Sequence, residues 1–305
     1  MTFRDSFKFY KARKPPPDLS EVIDIRNPDG KIVKKVNVSP FGAACISEQL
    51  QTDSDFKPVE NWNVFEFPSI PGLLVIENPF KPESQRKWIL KCLRDYPCKP
   101  NITNLDAHDV LENGTTWWDA CCGLNPRKDL VSKLRWTTLG YHHNWDTKQY
   151  SEDLRTKMPE DLTRMTKYIA TVLGFHDFEA EAAIVNYYRM NSTLAGHTDH
   201  SEINLDAPLF SISFGQSAVF LIGGPTQEEP AHALYLRSGD VMVMSTSSRL
   251  RYHGVPKILY DPEELWNSKD SCVIDDDWIK AKSYIADARI NVNVRQVLMP
   301  GQLSL

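Results

Sequence analysis

The sequence predicts an α+β chain that is mainly β, and three features predict it. Two amphipathic helical stretches lie before residue 180, six short strand-like runs follow it, and the composition is apolar and aromatic with few glycines. With 305 residues, 41% hydrophobic and 10% aromatic side chains and only 14 glycines, the chain can bury a sizeable core. Disordered, collagen-like and Gly/Ser-linker classes are excluded. Its length suits one large domain or two small ones. The longest apolar runs, such as 218–222, fall far short of the roughly 20 residues a membrane span needs, so no membrane partner is expected.

The elements follow in chain order. The start, 1–14, carries Arg4, Lys8, Lys11, Arg13 and Lys14 against Asp5, and reads first as a basic tail and second as an organelle-targeting segment. Three prolines at 15–17 form a stiff boundary. Runs 22–26 and 31–38, separated by Asn27-Pro28-Asp29-Gly30, predict a β-hairpin with Asp-Gly in its turn. Residues 39–60 have no steady period and read as a linker, completing an N-terminal extension over 1–60. A helix is predicted from Pro82 to Tyr96, with Trp88, Ile89, Cys92, Leu93 and Tyr96 on one side. Pro159-Glu160-Asp161 opens a second, which Gly174 closes, with Leu162, Met165, Ile169 and Leu173 along its stripe. These two make 61–180 a region of helical support and lid. Strands are predicted at 182–189, 209–214, 218–222, 233–237, 240–244 and 289–297, giving a core over 181–300. Many short strands at close spacing mean a sandwich, barrel or jelly roll.

The net charge of −5 excludes a chain coated in positive potential and leaves room for one basic stripe. Lys and Arg cluster at 86–94 and 127–135, where a solvated helix face and a phosphate-binding stripe are both open readings. Six cysteines (Cys45, Cys92, Cys98, Cys121, Cys122, Cys272) show no C-x-x-C spacing and no disulfide framework, so a reducing intracellular compartment is expected.

Four groups of residues carry candidate chemistry. In His197-Thr198-Asp199, a strand would put both side chains on one face. With a third ligand they would form the two-His, one-carboxylate triad of non-haem Fe(II) oxygenases. In 289–295 the alternation sets Ile290, Val292 and Val294 against Arg289, Asn291, Asn293 and Arg295. That polar side faces either water or the inside of a barrel, where guanidinium groups grip carboxylates in pairs of hydrogen bonds. Asn186 and Tyr188 share a strand face just upstream, and His253 supplies a further imidazole downstream. Taken singly, each has an ordinary structural explanation.

Together and in this order, N-x-Y, H-x-D eleven residues after that Asn, a distal His and R-x-N-x-x-x-R, they resemble the AlkB family of Fe(II)/2-oxoglutarate-dependent dioxygenases. Gly239–Met244 and Ser248–His253 look like the family's strand leading into the distal ligand. WTTLGYHHNW at 136–145 and Val294-Arg295-Gln296-Val297 are most like the eukaryotic AlkB homologue 1 branch. The likeness covers roughly residues 60–300. It implies a double-stranded β-helix (jelly-roll) core with supporting helices, and Fe(II), 2-oxoglutarate and O₂ as cofactor and co-substrates. By the same resemblance His197, Asp199 and His253 are the iron ligands. Arg289 binds the distal carboxylate of 2-oxoglutarate, helped by Tyr188 and Asn291. Asn186 and Arg295 line its other end and the reaction pocket.

Two departures from the bacterial relatives stand out. Residues 254–288, between His253 and Arg289, are a longer stretch that includes the acidic Asp275–Asp277. Ser201 stands where bacterial AlkB has an acidic residue at the base, and Glu202 follows it as a candidate substrate contact. Trp136, Tyr141, His143 and Trp145 are the candidates for holding a base, with Tyr141 and His143 foremost. The implied activity is oxidative demethylation of nucleic acid, with N1-methyladenine in tRNA first and N6-methyladenine in unpaired DNA second, releasing formaldehyde, succinate and CO₂. The branch is associated with nucleus and mitochondrion. A protein or histone demethylase or hydroxylase on the same iron site, and a non-catalytic jelly-roll binding module, are the alternatives from other classes.

Overall fold

The computed structural model of the chain describes residues 1–38, 55–106, 110–112, 114–123, 125–267 and 275–305. Its elements begin with helix α1 (Phe3–Lys11) and strands β1 (Lys34–Val36), β2 (Asn63–Glu66) and β3 (Leu73–Glu77). Helix α2 (Pro82–Leu90), strand β4 (Ile102–Thr103), helix α3 (Trp117–Cys122), strand β5 (Trp136–Gly140) and helix α4 (Glu160–Val172) follow. Then come β6 (Ala182–Arg189), β7 (Leu194–His197), β8 (Leu209–Gly215), β9 (Ser217–Ile222) and β10 (His232–Leu236). The last are β11 (Val241–Met244), β12 (His253–Leu259), helix α5 (Asp276–Ile285) and β13 (Ala288–Arg295).

The strands form two antiparallel sheets, one in the order β1-β2-β3-β11-β8-β13-β6-β5-β4 and one in the order β10-β9-β12-β7. Period-two alternation sorts their side chains into layers. Ile290, Val292 and Val294 of β13, with Phe210, Ile212 and Phe214 of β8, pack under α2, α4 and α5. The alternate residues of the large sheet, among them Tyr188, Leu209 and Met242, meet Phe220, Ile222, Leu234 and Val255 of the small sheet. Arg289, Asn291, Asn293 and Arg295 belong to this inner layer, and each is at most 8% exposed. The polar side of β13 therefore faces the inside of the jelly roll, not water.

Helix α2 begins at Pro82 as expected but ends at Leu90. A wider π-type turn over Lys91–Asp95 carries on, keeping Cys92 and Leu93 buried. Helix α4 is closed by Gly174, whose φ of +89° suits glycine. The basic start is no free tail. It forms α1, whose Phe3 and Tyr10 pack on Val219, Leu221 and Ala233 on the outer face of the small sheet. Gly196 makes this docking possible, since a Cβ there would come within 2.3 Å of the Phe3 ring.

The hairpin expected over 22–38 does not form. Lys34–Val36 pairs with β2 instead, and Ile23 touches the edge of the small sheet in a single parallel bridge to Leu234. An isolated two-stranded hairpin is marginal, whereas here each half buries its apolar residues: Ile25 and Val33 between the sheets, Val22 under α1. Strands from residues 34–36 and 63–77 thus join the large sheet alongside those after 181. Most of the expected 39–60 linker lies outside the described residues, and its described end is packed, with Phe56 bridged to Phe80. The long 254–288 stretch completes β12 and supplies α5. Its acidic run caps that helix, since the Asp275 side chain accepts from the Asp277 N–H. Cys92, Cys98, Cys121 and Cys122 are free thiols, and Cys45 and Cys272 lie outside the described residues. Among the described residues no helix is long and apolar enough to cross a membrane.

Candidate active site

His197 ends β7, and His253, directly opposite, opens β12, so the ladder between the two strands brings the imidazoles to 4.4 Å between centroids. Asp199 is not on the strand, contrary to the same-face argument from H-x-D. The chain leaves β7 after His197, and Asp199 is held by side chains. Its Oδ1 lies 3.8 Å from His197 Nε2 and its Oδ2 lies 3.6 Å from His253 Nε2. One ligand atom from each of the three residues lies within 4.8 Å of the others.

The hydrogen bonds leave these atoms open to a cation. Nδ1 of His197 stands 3.0 Å from the Ala195 carbonyl, and Nδ1 of His253 stands 3.0 Å from the Arg251 carbonyl. A carbonyl only accepts, so Nδ1 carries the proton and the Nε2 lone pairs are free. Arg295 Nη2 donates to Asp199 Oδ1 at 2.8 Å, while Oδ2 is buried without a partner. Burial pushes His197 down to about 4, reinforced by the neighbouring His253. Burial alone would raise the Asp199 carboxyl, but the Arg295 guanidinium beside it holds it well below the usual carboxylate range. Two lone pairs and one buried carboxylate oxygen converge where a divalent metal fits.

Deeper inside, Arg289 is 1% exposed. Its Nη2 donates to Ser213 Oγ at 3.0 Å, and its guanidinium lies 5.3 Å from the Tyr188 ring centre. Nε and Nη1 are buried without partners, and burial pushes the group's pKa down. A buried guanidinium with two idle donors fits a ligand carboxylate. Asn291 Nδ2 beside it donates to Ser211 Oγ at 2.8 Å and to the Ile212 carbonyl. Tyr188, Arg289, Asn291 and His253 line a narrow inner cavity. Asn186, His197, Asp199 and Arg295 line an outer cleft of about 450 Å³. Leu194 and Asn293 border both, so the triad stands where the two meet.

A family model of the 2OG-Fe(II) oxygenase superfamily matches residues 72–295. The chain belongs to this superfamily. Within it, the chain sits with the AlkB homologue 1 proteins. It is 39% identical to the Mus musculus nucleic acid dioxygenase ALKBH1, over 98% of this chain and 85% of that one. It is 34% identical to the Schizosaccharomyces pombe tRNA demethylase abh1, over 97% and 95%. It is 29% identical to the Arabidopsis thaliana DNA N(6)-methyladenine demethylase ALKBH1A, over 97% and 92%. The solved structure of OsALKBH1 superposes with a TM-score of 0.50 at 19% identity, covering 74% of this chain and 97% of that one, and shares the fold. Members of the 2OG-Fe(II) oxygenase superfamily use Fe(II), 2-oxoglutarate and O₂.

In this oxygenase the base-holding candidates separate. His143 and Trp145 line the outer cleft, with ring centres 4.8 Å apart, and His143 Nε2 is 3.1 Å from Ser201 Oγ. Trp136 packs against Trp145 at 5.2 Å and supports it from behind. Tyr141 is turned away from the cleft, which corrects its place at the head of the candidates. It is 1% exposed, packs with Tyr150, Val297 and Leu298, donates to Glu152 and lies beneath Arg155. Tyr141→Ala is expected to cost roughly 3–5 kcal/mol in chemical denaturation. Tyr141→Phe, which keeps the packed ring, should leave the substrate KM unchanged in steady-state assays. Glu202 borders the cleft, but its carboxylate is spent on protein partners: Arg249 at 2.8 Å, the Tyr150 hydroxyl at 2.9 Å and Arg295 at 3.5 Å.

Sequence reasoning missed Arg249, Tyr150 and the cleft-lining Lys148, and it gave Asn293 a place on the polar face of its strand but no role. Arg249 lies inside the Ser248–His253 phrase that carried the resemblance, though nothing in its spacing marked it. Several members of the two basic clusters pair with carboxylates: Lys87 with Asp55, Lys91 with Asp161, Arg94 with Asp277, and Arg127 and Lys133 with Asp129. For these five residues the pairing fits the solvated-face reading.

Proposed function

We propose that this chain removes methyl groups from nucleic-acid bases, with His197, Asp199 and His253 holding Fe(II) and Arg289 holding the distal carboxylate of 2-oxoglutarate. The observation that carries the reading is the pairing of three open ligand atoms with an idle buried guanidinium behind them, in two adjacent cavities that share Leu194 and Asn293 as walls. When bound, iron and 2-oxoglutarate with O₂ supply the oxidation that turns an N-methyl group into one lost as formaldehyde, with succinate and CO₂ as co-products. The chain's own part is placement. The Nδ1–carbonyl contacts keep both imidazoles aimed, and Arg295 occupies Oδ1 so that Asp199 presents Oδ2 alone. Arg289 and the Tyr188 face select a dicarboxylate by charge and shape, and Asn291 borders its path. Asn186 lines the cleft above.

A base inside a duplex cannot reach this triad, so the substrate is single-stranded, looped or flipped. Trp145, 47% exposed beside His143, offers the aromatic face. Structured RNA is the favoured substrate, because loop bases are already unstacked, and the S. pombe relative at 34% identity is a tRNA demethylase. Trp145→Ala should weaken substrate by roughly 1–3 kcal/mol, read as a KM increase of about fivefold or more, with 2-oxoglutarate affinity unchanged. The test of substrate class is parallel turnover of tRNA carrying N1-methyladenine and bubble DNA carrying N6-methyladenine. Faster methyl loss from the tRNA is expected. Faster loss from the DNA would reverse the ranking, and none from either would remove nucleic acid as the substrate.

A further inference from the structure

His197 and His253 are placed by a strand ladder, but Asp199 is not. Residues 198–208 have no regular secondary structure, and among the described residues no backbone–backbone hydrogen bond holds 198–202. Side chains do that work. Arg249 reaches in from the turn before β12 and donates from Nη1 to the Asp199 carbonyl at 2.7 Å. It also donates from Nη2 to Glu202 Oε2 at 2.8 Å and from Nε to the Ala207 carbonyl at 3.2 Å. Arg295 holds the other end of Asp199 through Oδ1. Glu202 stands between the two arginines and also takes the Tyr150 hydroxyl. Arg249, Glu202 and Arg295 are all at least nine-tenths buried. Two guanidinium groups face two carboxylates, a balance that lets four charges lie buried together.

Arg249 is four residues before His253. One guanidinium thus ties the segment bearing the second imidazole to the backbone of the residue bearing the carboxylate. We propose that Arg249, anchored by Glu202, is a positioning residue of the metal site: it sets where Asp199 stands relative to His253. Lysine cannot replace it, since an ammonium lacks the planar fork that reaches three acceptors at once. This rests on reading the triad as a metal site, and the test separates the two.

The probe is Co(II) alone, titrated into the protein and followed by its visible d–d absorption. The wild type is expected to bind one ion per triad, and failure to do so would overturn the metal site and this proposal with it. Arg249→Lys keeps the charge and is expected to bind Co(II) about tenfold or more weakly. Arg249→Met combined with Glu202→Gln leaves less charge unpaired than Arg249→Met alone, so thermal stability should recover relative to that single variant while Co(II) affinity stays about tenfold or more below wild type. A merely structural Arg249 predicts the opposite, with affinity returning as stability returns. Wild-type Co(II) affinity in either Arg249→Lys or the double variant would overturn the proposal.

Discussion

Arg289→Met should raise the 2-oxoglutarate concentration needed for half-maximal turnover by about 30-fold or more. Removing one partner of a buried, hydrogen-bonded charge pair costs roughly 2–5 kcal/mol, and each 1.4 kcal/mol is about tenfold. Without co-substrate, the same substitution should stabilise the protein. Arg289 is buried with Nε and Nη1 unpartnered, and the structure supplies it with one serine hydroxyl and one aromatic face. Exchanging a poorly satisfied buried charge for an unbranched apolar side chain gains about 1 kcal/mol or more, even after those two contacts are lost. Thermal melts with and without 2-oxoglutarate read both effects. The wild type melts lower when free and rises on co-substrate addition, whereas the variant melts higher when free and barely responds. A variant that melts lower than wild type and still responds to co-substrate would show Arg289 to be a packing residue.

His197→Ala should reduce turnover by at least about 100-fold, since even partners behind a metal ligand are worth 10- to 100-fold. The fold should survive. The His197 side chain is 35% exposed and its hydrogen bond is a local one to the Ala195 carbonyl, so little core is lost. Asp199→Ala would be a poorer probe. It removes the 2.8 Å partner of Arg295 and leaves two buried guanidinium groups sharing Glu202 alone, and one uncompensated buried charge costs about 3–5 kcal/mol. Lost activity in that variant would mix metal loss with unfolding.

The strands that build the site were legible because burial on both faces wrote itself into the sequence. β6, β8, β9 and β13 run between helices or α1 on one side and the opposite sheet on the other, and each reads as a sustained apolar or alternating run. β7 and β12 were not legible. β7 is four residues long, and β12 carries Gly254 and Pro256 at a shift in its pairing register, where period-two patterning breaks down. The residues of the triad could be named, yet the means of holding Asp199 could not, since Arg249 and Glu202 act through contacts between distant segments. Tyr141 shows the converse failure. It sits in an aromatic phrase, but Gly140, at a φ of +72°, turns the chain against the Glu181 carbonyl and sends the next ring inward. No count of aromatic residues reveals that turn.

The most direct test is the stoichiometry of methyl loss and succinate release on tRNA carrying N1-methyladenine. It is read by mass spectrometry with Fe(II), 2-oxoglutarate and ascorbate, for wild type and His197→Ala. Equimolar methyl loss and succinate are expected from the wild type, and neither from His197→Ala or when 2-oxoglutarate is omitted. Methyl loss that persists in His197→Ala, or without 2-oxoglutarate, would contradict the assignment of this cleft as the oxygenase site.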